Sequence, residues 1–102
     1  MKAIDFDVMP GGLLIKKGLK DIVEQQITIH SCLIVIAFTK FKNAGLIDAD
    51  KKPPFLDGEI TLYNLLGEEP GDAFSKYNAL LRQLVSFCHA LNQVKNNAPH
   101  TE

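Results

Sequence analysis

ITIHSCLIVIAF, residues 27–38, is the stretch whose reading decides the fold. It contains no charged residue, and neither do Gln25, Gln26 and Thr39 beside it. Six of its twelve residues are β-branched (Ile27, Thr28, Ile29, Ile34, Val35, Ile36), which favours a strand buried on both faces. Periodicity favours a helix. At about 100° per residue, Leu19, Ile22, Ile29, Leu33, Ala37 and Phe41 share one broad arc with Val23 and Ile36. Asp21, Glu24, Thr28, Ser31, Val35, Thr39 and Lys42 fall opposite. That phase runs through both charged flanks, which a short strand does not require. Helix is the reading adopted, with a buried strand as the alternative.

On a helix the outer stripe is anomalous. It is charged at its ends but offers only Thr28, Ser31, Val35 and Thr39 between them, where a solvated face normally carries Lys, Glu or Gln. Two explanations compete: a partner packs on Thr28, Ser31, Val35, Thr39 and Lys42, or the helix is central to its own domain and covered on both sides. Taken over residues 17–44, the helix spans roughly 42 Å, against a diameter of roughly 33 Å for a compact globule of this size. It therefore breaks near residues 26–28 or overhangs.

Working outward, residues 3–8 (AIDFDV) alternate apolar and acidic, and Pro10-Gly11 suits a type II turn. With Leu13-Leu14-Ile15 returning, residues 1–16 read as a small hairpin or extended arm. Gly18 weakens the start of the first long helix, and Gly45 is its natural stop. Pro53-Pro54 marks a connector. Asp57 then caps a short helix over residues 59–66, closed by Gly67, with Ile60, Tyr63 and Leu66 inward. Asp72 caps a last helix over residues 73–96, where Phe74, Tyr77, Leu81, Leu84, Cys88 and Leu91 make a 3-4-3-4-3 seam. Residues 98–102 read as a disordered tail. The expected architecture is mainly α, with α+β open: one helical domain over residues 1–97, a small bundle of two long helices and one short one with an N-terminal β element.

The 102 residues are 46% hydrophobic and 23% charged, which suits one globular domain and excludes extensive disorder. The net charge of −1 gives no global attraction to nucleic acid or acidic lipid. Charge is segregated nonetheless: residues 16–52 hold seven lysines and four acids, residues 53–72 five acids and no base. The first ten residues lack an apolar leader core, and the 15-residue uncharged run falls short of the about 20 residues a membrane span needs. The expected location is the cytoplasm, with Cys32 and Cys88 reduced and buried.

No residue pattern builds a catalytic centre. His30-Ser31-Cys32 has no zinc-ligand spacing, and Cys88 and His89 diverge by about 100° on a helix. Residues 48–59 imitate a calcium loop, but Pro53 stands where that loop needs glycine. Leu62-Tyr63-Asn64-Leu65-Leu66 matches a helix-in-groove motif, with leucines the core also needs. No cofactor or metal is expected. The functional expectation is a small non-enzymatic protein–protein interaction module, an adaptor, inhibitor, immunity or regulatory protein of bacterial or phage accessory type, that pairs as a homodimer. One alternative is a nucleic-acid-binding regulator using Lys16, Lys17, Lys20, Lys40, Lys42, Lys51 and Lys52, although Arg82 is the sole arginine and base reading leans on Arg. The other is a ligand-binding or enzymatic bundle around His30 and Cys32.

Overall fold

Residue 28 settles the central stretch. In the computed structural model, which describes residues 5–96, Thr28 is the N-cap of a helix, so the stretch is helical and the helix starts inside it. After a 3₁₀ turn at Phe6–Val8 come α1 (Gly12–Val23), α2 (Ile29–Ile36), α3 (Phe38–Asn43), α4 (Gly58–Gly67) and α5 (Ala73–Asn96). The mainly α reading stands. No strand occurs among the described residues.

The β element and the two long helices need correction. Phe6–Val8 form a turn capped by Asp5, whose carboxylate accepts from the Asp7 N–H at 3.1 Å. Leu13-Leu14-Ile15 belong to α1, and residues 3 and 4 lie outside the described residues. Phe6 faces inward and stacks on Phe87 with centroids 5.8 Å apart, while Val8 is 78% exposed. Five alternating residues are too few to separate a strand from a turn with one inward ring.

The helix expected over residues 17–44 is three helices. α1 ends at Val23, and Gln25 adopts a left-handed backbone (φ +59°). The reversal folds α2 back against α1. Ala37 interrupts the ladder again (φ −107°, ψ 25°) between α2 and α3. Gly45 (φ +85°) closes α3, with the Leu46 N–H donating to the Phe41 carbonyl at 2.9 Å, the 6→1 bond of a Schellman motif. Among the described residues α5 is the one long helix, at about 36 Å. Asp72 caps it as expected, accepting from the Phe74 N–H at 3.1 Å and the Ser75 hydroxyl at 2.8 Å.

The core is built around α2. Ser31, Cys32, Leu33 and Ile34 are consecutive and each 0% exposed, so no face of α2 looks onto solvent there. α1 and α4 pack directly on it, with α5 touching it from a third side. Gly18 permits the α1–α2 approach: a β-carbon there would stand 2.5 Å from the His30 carbonyl oxygen and 2.7 Å from Ile34 Cγ1. Phe41 and Phe87, both fully buried, meet edge to face at 5.8 Å. With extents of 50 × 27 × 18 Å and a radius of gyration of 14.1 Å, the molecule is longer and looser than a compact chain of its size, about 13 Å.

Candidate functional site

Two regions compete for attention: the α1–α2 joint and the outer side of α4–α5. At the joint Asp21 is 2% exposed. Its Oδ1 accepts from Lys17 Nζ at 2.8 Å and its Oδ2 from the Thr28 hydroxyl at 2.7 Å. Those two bonds, first Lys17 and then Thr28, hold the Asp21 carboxyl below its ordinary value of 3.8. Thr28 and Ser31 complete a reciprocal capping box. The Ser31 N–H donates to Thr28 Oγ1 at 3.0 Å, and the Thr28 N–H donates to Ser31 Oγ at 2.8 Å. Each polar atom is satisfied inside the joint. Its chemistry is structural.

That joint accounts for much of the uncharged stripe. Thr28 is half-buried and Ser31 fully buried, because their hydroxyls open α2. Val35 is half-buried, with its Cγ1 about 3.0 Å from where a β-carbon on Gly58 would sit. Lys42 lies over the Phe38 ring at 5.9 Å from the centroid. Thr39 alone of the five is exposed. They do not gather on one open face, and Ser31 has no surface to offer a partner. The missed signal was Thr28-Ile29-His30-Ser31, a capping box with Ser in place of the usual Glu or Gln.

Exposed apolar side chains are spread over the molecule. Val23 (81%) and Ile27 (59%) flank the joint, Val8, Leu13 and Leu56 stand exposed on the N-terminal turn, α1 and the connector, and a further set lies on α4 and α5. On α4 Leu62 (0% exposed) and Leu66 (2%) are inside, whereas Ile60 is 62% and Tyr63 43% exposed. The expected inner face of α4 holds at Leu66 and is corrected at Ile60 and Tyr63: α2 approaches from the Gly58 side, so the Gly58–Leu62–Leu66 flank turns inward. The leucines of the LxxLL string are thereby committed to the interior, with Leu65 half-buried. On α5 the core takes Leu84, Phe87 and Leu91. Phe74, expected at the seam, is 62% exposed, and Val85 56%. The Tyr63 and Tyr77 rings meet edge to face at 5.5 Å, four residues from the α4–α5 turn on either side. That contact ties Tyr63, at 43% exposure, to the half-buried Tyr77.

The thiols are poor nucleophiles. Burial pushes the Cys32 thiol up to about 11 and also raises Cys88, against which nearby Lys40 pulls down. Cys32 has fully buried neighbours on both sides, and His30 is half-buried. A shallow cleft of about 390 Å³ lies between α3 and α5, lined by Lys40, Cys88 and His89 among others. No group of three or more His, Cys, Asp or Glu side chains converges among the described residues, and no described helix is long and apolar enough to cross a membrane. The lysines are dispersed over α1, α3 and the loop at residues 51–52, with Lys17 committed to Asp21.

No family model matches this chain, and no curated protein or solved structure is significantly similar to it.

Proposed function

We propose that this chain is a small protein–protein interaction module that works by docking rather than by catalysis, in the manner of an adaptor, inhibitor or regulatory protein. The observation that carries the reading is the apolar surface on the outer side of α4 and α5, where Ile60, Tyr63 and Phe74 stand 62%, 43% and 62% exposed. Covering such area is favourable by about 25 cal/mol per Å², and large apolar side chains left exposed on two neighbouring helices are what a recognition surface requires. Depressed nucleophilicity of both thiols points the same way. Reduced cysteines suit a cytoplasmic setting, which belongs to the same proposal.

The test is a comparison of the wild-type chain with Phe74→Glu, which inserts a charge without touching the core. Cross-linking in the native cell, followed by mass spectrometry, is expected to join the wild type to one defined protein through α4–α5, and to lose that product in the variant. Identical products from both chains would refute the reading. A nucleic-acid function predicts instead a binding constant for duplex DNA that falls steeply with salt and is insensitive to Phe74.

A further inference from the structure

We propose that the partner of the α4–α5 face is a second copy of this chain, bound antiparallel about a two-fold axis near Leu81. The inference rests on the interaction reading above and names its occupant.

Phe74, Leu81 and Val85 stand at i, i+7 and i+11, on one flank of α5. Phe74 and Val85 are 62% and 56% exposed, and Leu81 between them is half-buried. Charge is scarce along this flank. Between Phe74 and Val85 the formal charges are Lys76 and Arg82, and Lys76 is occupied by the Pro70 carbonyl and by Glu69 at 3.5 Å. Arg82 stands about 80° round the helix from Phe74, at the edge of this flank beside Leu81 and Val85, and its long exposed side chain can hold its charge in solvent. The rest of the flank meets its own image without like charge, as an isologous contact demands. Area also suffices. An aromatic side chain buries about 150–250 Å², so Phe74 and Tyr63 together leave on the order of 200 Å² uncovered. Ile60 and Val85 add a comparable apolar contribution. A standard interface takes about 800 Å² per partner, a little over half of it apolar, and this face supplies most of that apolar part.

Charge fixes the orientation. The turn preceding α5 is acidic, with Glu68, Glu69 and Asp72. At the other end of the same helix Lys40 borders Cys88 and Asn92. Asn92 follows Phe74 by 18 residues, five full turns, and so lies on the same side. Antiparallel pairing sets the acidic turn of each copy, chiefly Glu68, against Lys40 of the other, twice. Parallel pairing would set acid against acid and base against base.

Sedimentation equilibrium of the full chain over 1–100 µM tests this, with circular dichroism to verify folding. The wild type is expected at twice 11.3 kDa. Val85→Glu, at an exposed position, is expected to raise the dimer Kd by about a hundredfold or more with unchanged helicity, since a buried unpaired charge costs several kcal/mol. Lys40→Glu and Glu68→Lys should each weaken the dimer, and the double variant should restore it. A wild type monomeric at 100 µM overturns the self-pairing while leaving the docking reading to its own cross-linking test. A dimer indifferent to Val85→Glu overturns the interface, and failure of the double variant to recover overturns the orientation.

Discussion

Asp21 is the residue whose chemistry the structure uses most fully. A carboxylate at 2% exposure is tolerable because Lys17 and Thr28 each donate to one of its oxygens, replacing water it has lost. The sign of its pH effect follows. Its folded pKa is depressed below 3.8, so its contribution is complete above that value and is lost as pH falls through the folded pKa. Acid titration of thermal stability should therefore show a decline below about pH 4 that Asp21→Asn flattens, while lowering stability at pH 7 by about 1.5–3 kcal/mol. A variant with the same acid limb as the wild type would show that the pair does not couple to folding. Sequence alone placed Asp21 on the outer, solvated stripe. Its burial depends on Thr28, seven residues away, and becomes visible only after the chain reverses.

At the scale of elements, the joint between α1 and α2 is the decisive feature, and Gly18 is its hinge of contact. The periodicity of residues 17–44 predicts one continuous helix, whereas the chain forms α1, α2 and α3 there. Of the two ways to relieve the projected excess length, a break or an overhang, the chain takes the break. The break falls at residues 24–28 because Gln25 takes a left-handed backbone and Thr28 begins a new cap. Gly18 looked like a weak first turn, yet it sits within α1 where α2 passes at backbone distance. Gly18→Ala gains helix propensity of about 1 kcal/mol but forces a methyl onto the His30 carbonyl. Net destabilisation is expected, by about 1–3 kcal/mol, as a lower urea midpoint with an unchanged slope. An increase in midpoint would show that the two helices separate freely.

For the whole molecule, the aromatic cluster Phe6–Phe87–Phe41 ties the N-terminal turn, α5 and α3 into one core. Phe87 is fully enclosed between the other two rings, so Phe87→Ala should cost about 3–5 kcal/mol, measured by urea unfolding. A loss below 1 kcal/mol would mean that α5 is held mainly by other contacts. The uncharged run 25–39, Gly45, the Asp72 cap and the long last helix were legible from the chain, because period, capping chemistry and glycine at a helix end are local properties. The exposed flank of α4–α5 was not: α4 and α5 each carry more apolar circumference than the fold covers, and sequence cannot say which part. The missing charge at residues 28–35 was a sound signal of cover, and much of that cover is the chain itself. What the sequence by itself determined is where helices form and stop, since those choices rest on neighbours within a turn or two. What only the tertiary structure decided is which flank of each helix stays wet, since that depends on the direction in which Gln25 sends α2 and on the space Gly18 and Gly58 leave for it.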